Sequence, residues 1–216
     1  MIIIPAAIII YMLFAQQYYM QASLVLVILA CAPFFAGFEL KKNKAEEIVL
    51  IAVLAAAAAV SRIPFAGLPN VQPVSFLIMV TAYVFGAQTG FMTGAVAAIV
   101  SNIFFGQGPW TIWQMLAWGA VGLIAGALRG TPFMRNFILR ILTGFILGFL
   151  FGVIMDVWMI LRMGGALNLS VFLFYFQLSF AFNLSHALSN IFFIIIFFRR
   201  LTKILERIKN KYGLLE

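Results

Sequence analysis

Apolar runs long enough to cross a bilayer, separated only by short polar breaks, follow one another along nearly the whole chain. Reading them between the breaks gives eight candidate spans, at about residues 2–15, 22–38, 48–65, 73–86, 89–105, 110–128, 136–161 and 170–198. Only 9% of the 216 residues are charged, against about 25% in a soluble domain. With 65% hydrophobic residues and a mean hydropathy of +1.11, a water-dissolved globule would expose large apolar patches and aggregate. The expectation is therefore an all-α, polytopic membrane helical bundle with no room for a soluble domain, which excludes a soluble enzyme.

The runs at 73–86 and 89–105 meet at Gly86-Ala87-Gln88-Thr89-Gly90, so they form a tight hairpin of short members. Alternate loops differ sharply in charge. One side carries Lys41, Lys42, Lys44, Arg129, Arg135, Arg199, Arg200, Lys203, Arg207, Lys209 and Lys211, and the other only Arg62 and Arg162. Basic loops stay in the cytoplasm, which puts both termini on the cytoplasmic side of a cell (plasma) membrane that the chain crosses several times. Concentrated in loops and tail, the +8 net charge is a topology signal, not a nucleic-acid footprint, and the bilayer is the expected partner. No Lys or Arg precedes the first run, so it is expected to be a retained helix and not a cleaved signal peptide. The organisation that follows is a two-helix hairpin with a basic linker at 1–44, a six-helix core at 45–198 and a basic amphipathic tail at 199–216. Such a tail lies on anionic headgroups or docks a cytoplasmic partner.

Small residues recur at helical spacing: Ala52 with Ala56, Ala55 with Ala59, then Gly90-Gly94-Ala98, Gly119-Gly122-Gly126 and Gly144-Gly148-Gly152. In membranes such ladders let backbones approach. Internal packing accounts for the glycines, whereas the alanine stretch is smooth on more than one face and offers a surface to another membrane protein. Two ladders lead on to polar side chains in the outer part of their spans, Asn102 and Asp156, as a pocket open to the outside requires. At the same level the turn Gly106-Gln107-Gly108-Pro109 starts a helix carrying Trp110, Gln114 and Trp118 on one stripe, with Trp113 beside Trp110. Tryptophans there serve as interfacial anchors or as pocket walls. Amides among them, Asn102, Gln107 and Gln114, need partners in an apolar setting. The other outer loop, 62–73, is stiffened by Pro64, Pro69 and Pro73 and carries Asn70 and Gln72; it is a constrained turn or a cap over the pocket.

Asp156 is the acid placed within a span, and two readings stand: an ion pair with Arg62 or Arg162, or a solute-facing group. His186, flanked by Asn183 and Asn190 on one stripe, either closes an interhelical hydrogen bond or lies in the pocket floor. Cys31 sits in an apolar run, so no disulfide framework or thiolate metal cluster is expected. No metal site and no bound cofactor are expected either, and there is no phosphate-binding loop, His-Glu-x-x-His or Gly-x-Ser-x-Gly motif.

Residues 45–212 resemble the substrate-specific (S) components of energy-coupling factor transporters. The likeness rests on Asn70-Val71-Gln72-Pro73-Val74, Gly86, Gly90, Gly94, Ser101-Asn102, Phe105-Gly106-Gln107-Gly108-Pro109-Trp110-Thr111, Trp113-Gln114-Met115-Leu116-Ala117-Trp118-Gly119, Asp156-Val157-Trp158, Phe182 to Ser189 and the basic end from Leu205 to Gly213. The resemblance implies a six-helix core that captures a vitamin from outside. It also implies a transmembrane coupling protein docked on the Ala52, Ala55, Ala56 and Ala59 face, and two cytoplasmic ATPases that use the ATP. The two N-terminal spans exceed that plan. Within the family the Gln-Gly-Pro-Trp turn is closest to members assigned to cobalamin or related corrinoids. A large amide-edged solute suits tryptophan faces with Gln and Asn, an uncharged pocket disfavours multiply anionic solutes, and riboflavin satisfies the same arguments. The candidate solute-binding residues are thus Asn70, Gln72, Asn102, Gln107, Trp110, Trp113, Gln114, Asp156, Asn183 and His186. Two competitors stand beside this reading: an intramembrane enzyme using Asp156 and His186 on a lipid-like substrate, although His186 lies about 24 Å along its span at 1.5 Å per residue, and a non-transporting scaffold with no pocket.

Overall fold

A computed structural model describes residues 19–40, 44–164 and 167–214. The span expected at 2–15 lies outside the described residues. Among the described residues the helices of twelve residues or more are α1 (Tyr19–Leu40), α2 (Ala45–Val60), α3 (Val74–Phe85), α4 (Ala87–Phe105), α5 (Trp110–Ala127), α6 (Phe137–Arg162) and α7 (Leu169–Tyr212). A 3-10 turn at Ile63–Phe65 follows α2, and a one-turn helix at Pro132–Arg135 precedes α6. Within the described residues, 6 helices are long and apolar enough to cross a membrane: all of these except α3.

The short member expected at 73–86 is α3. Twelve residues reach only about 18 Å, against a hydrocarbon core of roughly 30 Å. Instead of facing lipid, α3 is wrapped by α2, α4, α5, α6 and α7, and ten of its residues, from Val74 to Phe85, are buried. A helix sheathed by its neighbours has no need to match the bilayer. It ends at Gly86, whose φ of +98° a side chain would strain, and that glycine also starts α4. The expected hairpin is thus a one-residue reversal.

Backbone contact between glycine-lined faces holds the bundle together. At the α4–α5 interface a side chain on Gly122 would strike the Gly90 carbonyl, and one on Gly94 the Trp118 carbonyl. Along α6, Gly144, Gly148 and Gly152 lie against Ile194, Ala187 and Asn183 of α7. Asn136 and Asn168 cap α6 and α7 by accepting from the amides of Ile138 and Val171, at 2.9 Å each. The α1 helix lies against α4, α5 and α6, with Phe34 stacked on Phe91 at a 4.0 Å centroid separation. Cys31 on α1 is a buried free thiol.

The tail at 199–216 begins as the continuation of α7, one helix of 44 residues that ends at Tyr212. Past the apolar span, Thr202 and Leu205 are still buried, and Lys209 Nζ donates to the Val84 carbonyl near the end of α3. Apolar residues recurring at 201, 205 and 208 have the bundle to pack against, so the helix extends beyond the span.

Candidate functional site

Where α2, α4 and α6 end and α3, α5 and α7 begin, a cavity of about 1050 Å³ opens. The 62–72 segment forms one wall, Phe105 and the first turn of α5 a second, and the ends of α6 and α7 the others. Aromatic groups dominate, with Phe65, Trp110, Phe151, Trp158, Tyr175 and Phe182 among the lining residues. A concave, largely apolar chamber with a few converging polar groups has the character of a small-molecule site.

Of the sequence-predicted residues, Asn70, Gln72, Trp110, Gln114, Asp156 and Asn183 line this cavity. Asn102, Gln107, Trp113 and His186 do not, and each departure has a physical reason. Buried Asn102 donates to Gln114 Oε1 at 2.7 Å and to Thr111 Oγ1 at 2.9 Å, so it orients the lining amide from behind. Gln107 is spent on the turn: it donates to the Ile99 carbonyl at 2.7 Å and accepts from Thr111 at 2.9 Å. Trp113 faces α1 and lies against Trp158 at a 6.3 Å centroid separation, so it backs a wall residue. His186 is fully buried behind the loop. Its Nδ1 meets the Asn70 carbonyl at 3.2 Å, and since a carbonyl only accepts, Nδ1 carries the proton; Nε2 of the neutral ring accepts from Ser75 Oγ at 2.8 Å. Both nitrogens are thus engaged in joining α3, α7 and the loop. With His186 sealed away from the chamber that Asp156 lines, the pair invoked for an intramembrane enzyme is not assembled.

The uncharged pocket expected from the sequence is corrected by the structure. Arg62, Arg162 and Asp156 all line the cavity. Arg62 donates through Nε to Gln72 Oε1 and through Nη1 to Ser101 Oγ, both at 2.6 Å. Its guanidinium also lies over the rings of Phe105, at 4.5 Å, and Trp118, at 4.9 Å. Gln72 in turn donates to Asn70 Oδ1 at 2.9 Å, and Asn70 Nδ2 to the Phe182 carbonyl at 3.0 Å. Ser189 Oγ accepts from the Gln72 amide and donates to the Gln72 carbonyl. One polar chain therefore runs from α4 through Arg62 and the loop to α7 and fixes the loop as a wall. Asn70, at φ +54°, takes the left-handed turn that asparagine tolerates.

Asp156 forms no ion pair with Arg62 or Arg162 among the described residues. Its Oδ2 accepts from Ser179 Oγ at 2.8 Å and from Asn183 Nδ2 at 3.0 Å. Sequence reasoning missed Ser179 and Tyr175 as lining residues; Ser179 stands four positions before Asn183, on the helical stripe already marked by His186 and Asn190. The four alanines also divide. Ala55 and Ala59 are fully buried in the bundle, so neither is available to a partner, which corrects their assignment to the docking face. Ala52 is exposed and Ala56 half-buried. A helix smooth on several faces turns one of them inward.

A family model described as "ECF transporter, substrate-specific component" matches residues 46–210. UPF0397 proteins of Vibrio atlanticus and Aliivibrio fischeri are each 30% identical over 87 residues, covering 38% of this chain and 47% of the relative. The chain thus spans about half the length of the curated relatives it matches. No solved structure matches. The family match extends from the second residue of α2 almost to the end of α7 and leaves α1 outside, as the six-helix core does. This chain belongs to the family of ECF transporter substrate-specific components.

Proposed function

We propose that the protein is the solute-capturing subunit of an ATP-driven micronutrient importer, and that the aromatic chamber receives a vitamin from outside the cell. The observation that carries this reading is the cavity itself. At about 1050 Å³ it sits at the upper end of the roughly 300–1,000 Å³ typical of small-ligand sites, and its lining combines broad ring faces with amides. A corrinoid, cobalamin or a relative, is the solute we favour: a large macrocycle fringed with amides matches both the volume and the amide-bearing walls. Riboflavin is the competing solute. Purified protein in detergent, without ATP, is expected to bind one of them in calorimetry. Trp110→Ala, which removes a lining ring, is expected to weaken that binding at least tenfold while leaving the melting temperature within a few degrees. Failure of both corrinoids and flavins to bind would defeat the reading.

The remaining machinery lies in partners: a transmembrane coupling protein and two cytoplasmic ATPases that consume the ATP, with both termini of this chain on their side of the membrane. The outward strip of α2, where exposed Ala52 lies between exposed Val49 and Val53, is the proposed docking face. Small side chains allow close helix approach in lipid. Ala52→Phe is therefore expected to spare solute binding by the isolated protein and to reduce uptake by cells at least tenfold. Loss of binding as well would assign the strip to internal packing.

A further inference from the structure

Asp156 is 7% exposed and lies on the cavity wall, yet no protein cation neutralises it among the described residues. Its two protein donors, Ser179 and Asn183, converge on the same oxygen, Oδ2. Oδ1 accepts nothing among the described residues. The charged groups that share the cavity are turned to other tasks or placed elsewhere. Arg62 is held by Gln72, Ser101 and two aromatic rings. Arg162 is exposed and six positions further along α6, off the three- and four-residue spacings at which helix side chains meet. Tyr175 and Ser179 are the hydroxyls that α7 adds to the lining. A carboxylate oxygen accepts hydrogen bonds, and with Oδ2 occupied by Ser179 and Asn183 it is Oδ1 that is left for whatever enters the cavity. Phe151 and Met155 on the same lining are apolar, and the indole N–H of Trp158, also on the lining, makes no hydrogen bond to that oxygen.

We infer that the solute supplies the missing donor: Asp156 reads an N–H edge of the bound molecule, a primary amide, a ring imide or a protonated amine, and rejects a carboxylate at the same position. Asp156 is then a specificity-determining residue, and the solute class narrows to compounds that present N–H donors to this wall. The inference rests on the solute-capture reading above. Sites built to satisfy a hydrogen bond discriminate strongly against analogues that lack it, because the buried group is then left unpaired.

The test is calorimetry on the purified full chain with two matched pairs: an amide-edged corrinoid against its monocarboxylate hydrolysis products, and riboflavin against its N3-methyl derivative, which lacks the imide N–H. In whichever pair binds, the donor-bearing member is expected to bind at least about tenfold more tightly. Asp156→Asn, which keeps an acceptor oxygen and adds a donor, is expected to shrink the difference to a few-fold. Equal binding of both members to the unmodified protein overturns this inference and leaves solute capture standing. Binding by none of the compounds overturns both. Because the decisive comparison uses the unmodified protein, poor folding of the variant does not affect it; a folded variant that kept full discrimination would overturn the assignment to Asp156.

Discussion

Arg62→Met is expected to abolish high-affinity solute binding and to lower the melting temperature markedly, although methionine fills much of the same space. The guanidinium is the node of the polar chain that holds the 62–72 wall: it donates to Gln72 and Ser101 at 2.6 Å and covers Phe105 and Trp118. Hydrogen bonds to a charged group contribute about 1.5–3 kcal/mol each, and removing one partner strands the other. Screening at this half-buried position reduces the sum, so a loss of about 3 kcal/mol is expected, together with at least a hundredfold weaker binding. Arg62→Lys retains the charge, but a single ammonium cannot reproduce a planar fork stacked between two rings, so it is expected to fall between the two. Thermal melting and calorimetry on the same samples check both numbers. An unchanged dissociation constant for Arg62→Met would mean that the wall keeps its pose without the guanidinium.

The second large effect is expected at the α4–α5 contact. Gly122→Val places a branched side chain against the Gly90 backbone, and backbone cannot swing aside as a side chain does. Overpacking costs about 1–3 kcal/mol in ordinary cores and more where nothing yields, so about 3 kcal/mol or more is expected, read as lost monodisperse yield in detergent. Gly144→Ala is the control. There the added methyl meets the tip of Ile194, which can rotate, and the expected cost is below about 1 kcal/mol. Similar yields for the two variants would contradict close backbone contact as the basis of the bundle.

Hydropathy made most of the helices legible, because a bilayer leaves little choice: apolar runs at 22–38, 48–65, 89–105, 110–128, 136–161 and 170–198 correspond to α1, α2 and α4 to α7. The short run at 73–86 corresponds to α3, but that protein wraps it was not legible, since runs wrapped by protein and by lipid share a composition. The amphipathic end of α7 was legible as a helix, but its packing was not, because the pattern that suits a membrane surface also suits the flank of a bundle. Local motifs pointed to the neighbourhood of the cavity but not to which groups enter it. Gln107 and Gln114 belong to the same motif, yet one secures the turn and the other lines the chamber. Arg62 stood in sequence as a loop cation, and its role depends on Ser101, 39 residues away. The inward face of Ala55 and Ala59 depends on how α2 is rotated against the bundle, which a run of five alanines leaves open.

The unbroken α7 has a mechanical consequence. Its 44 residues measure about 66 Å, longer than the roughly 40–45 Å of a bilayer with its headgroups. One end carries Ser179 and Asn183, which hold Asp156, and the other carries Lys209 clasped to the end of α3. A rod with no proline or glycine within it has no elbow. The contact that Ser179 makes with Asp156 and the contact that Lys209 makes with Val84 therefore sit on one continuous shaft, about 45 Å apart along its axis.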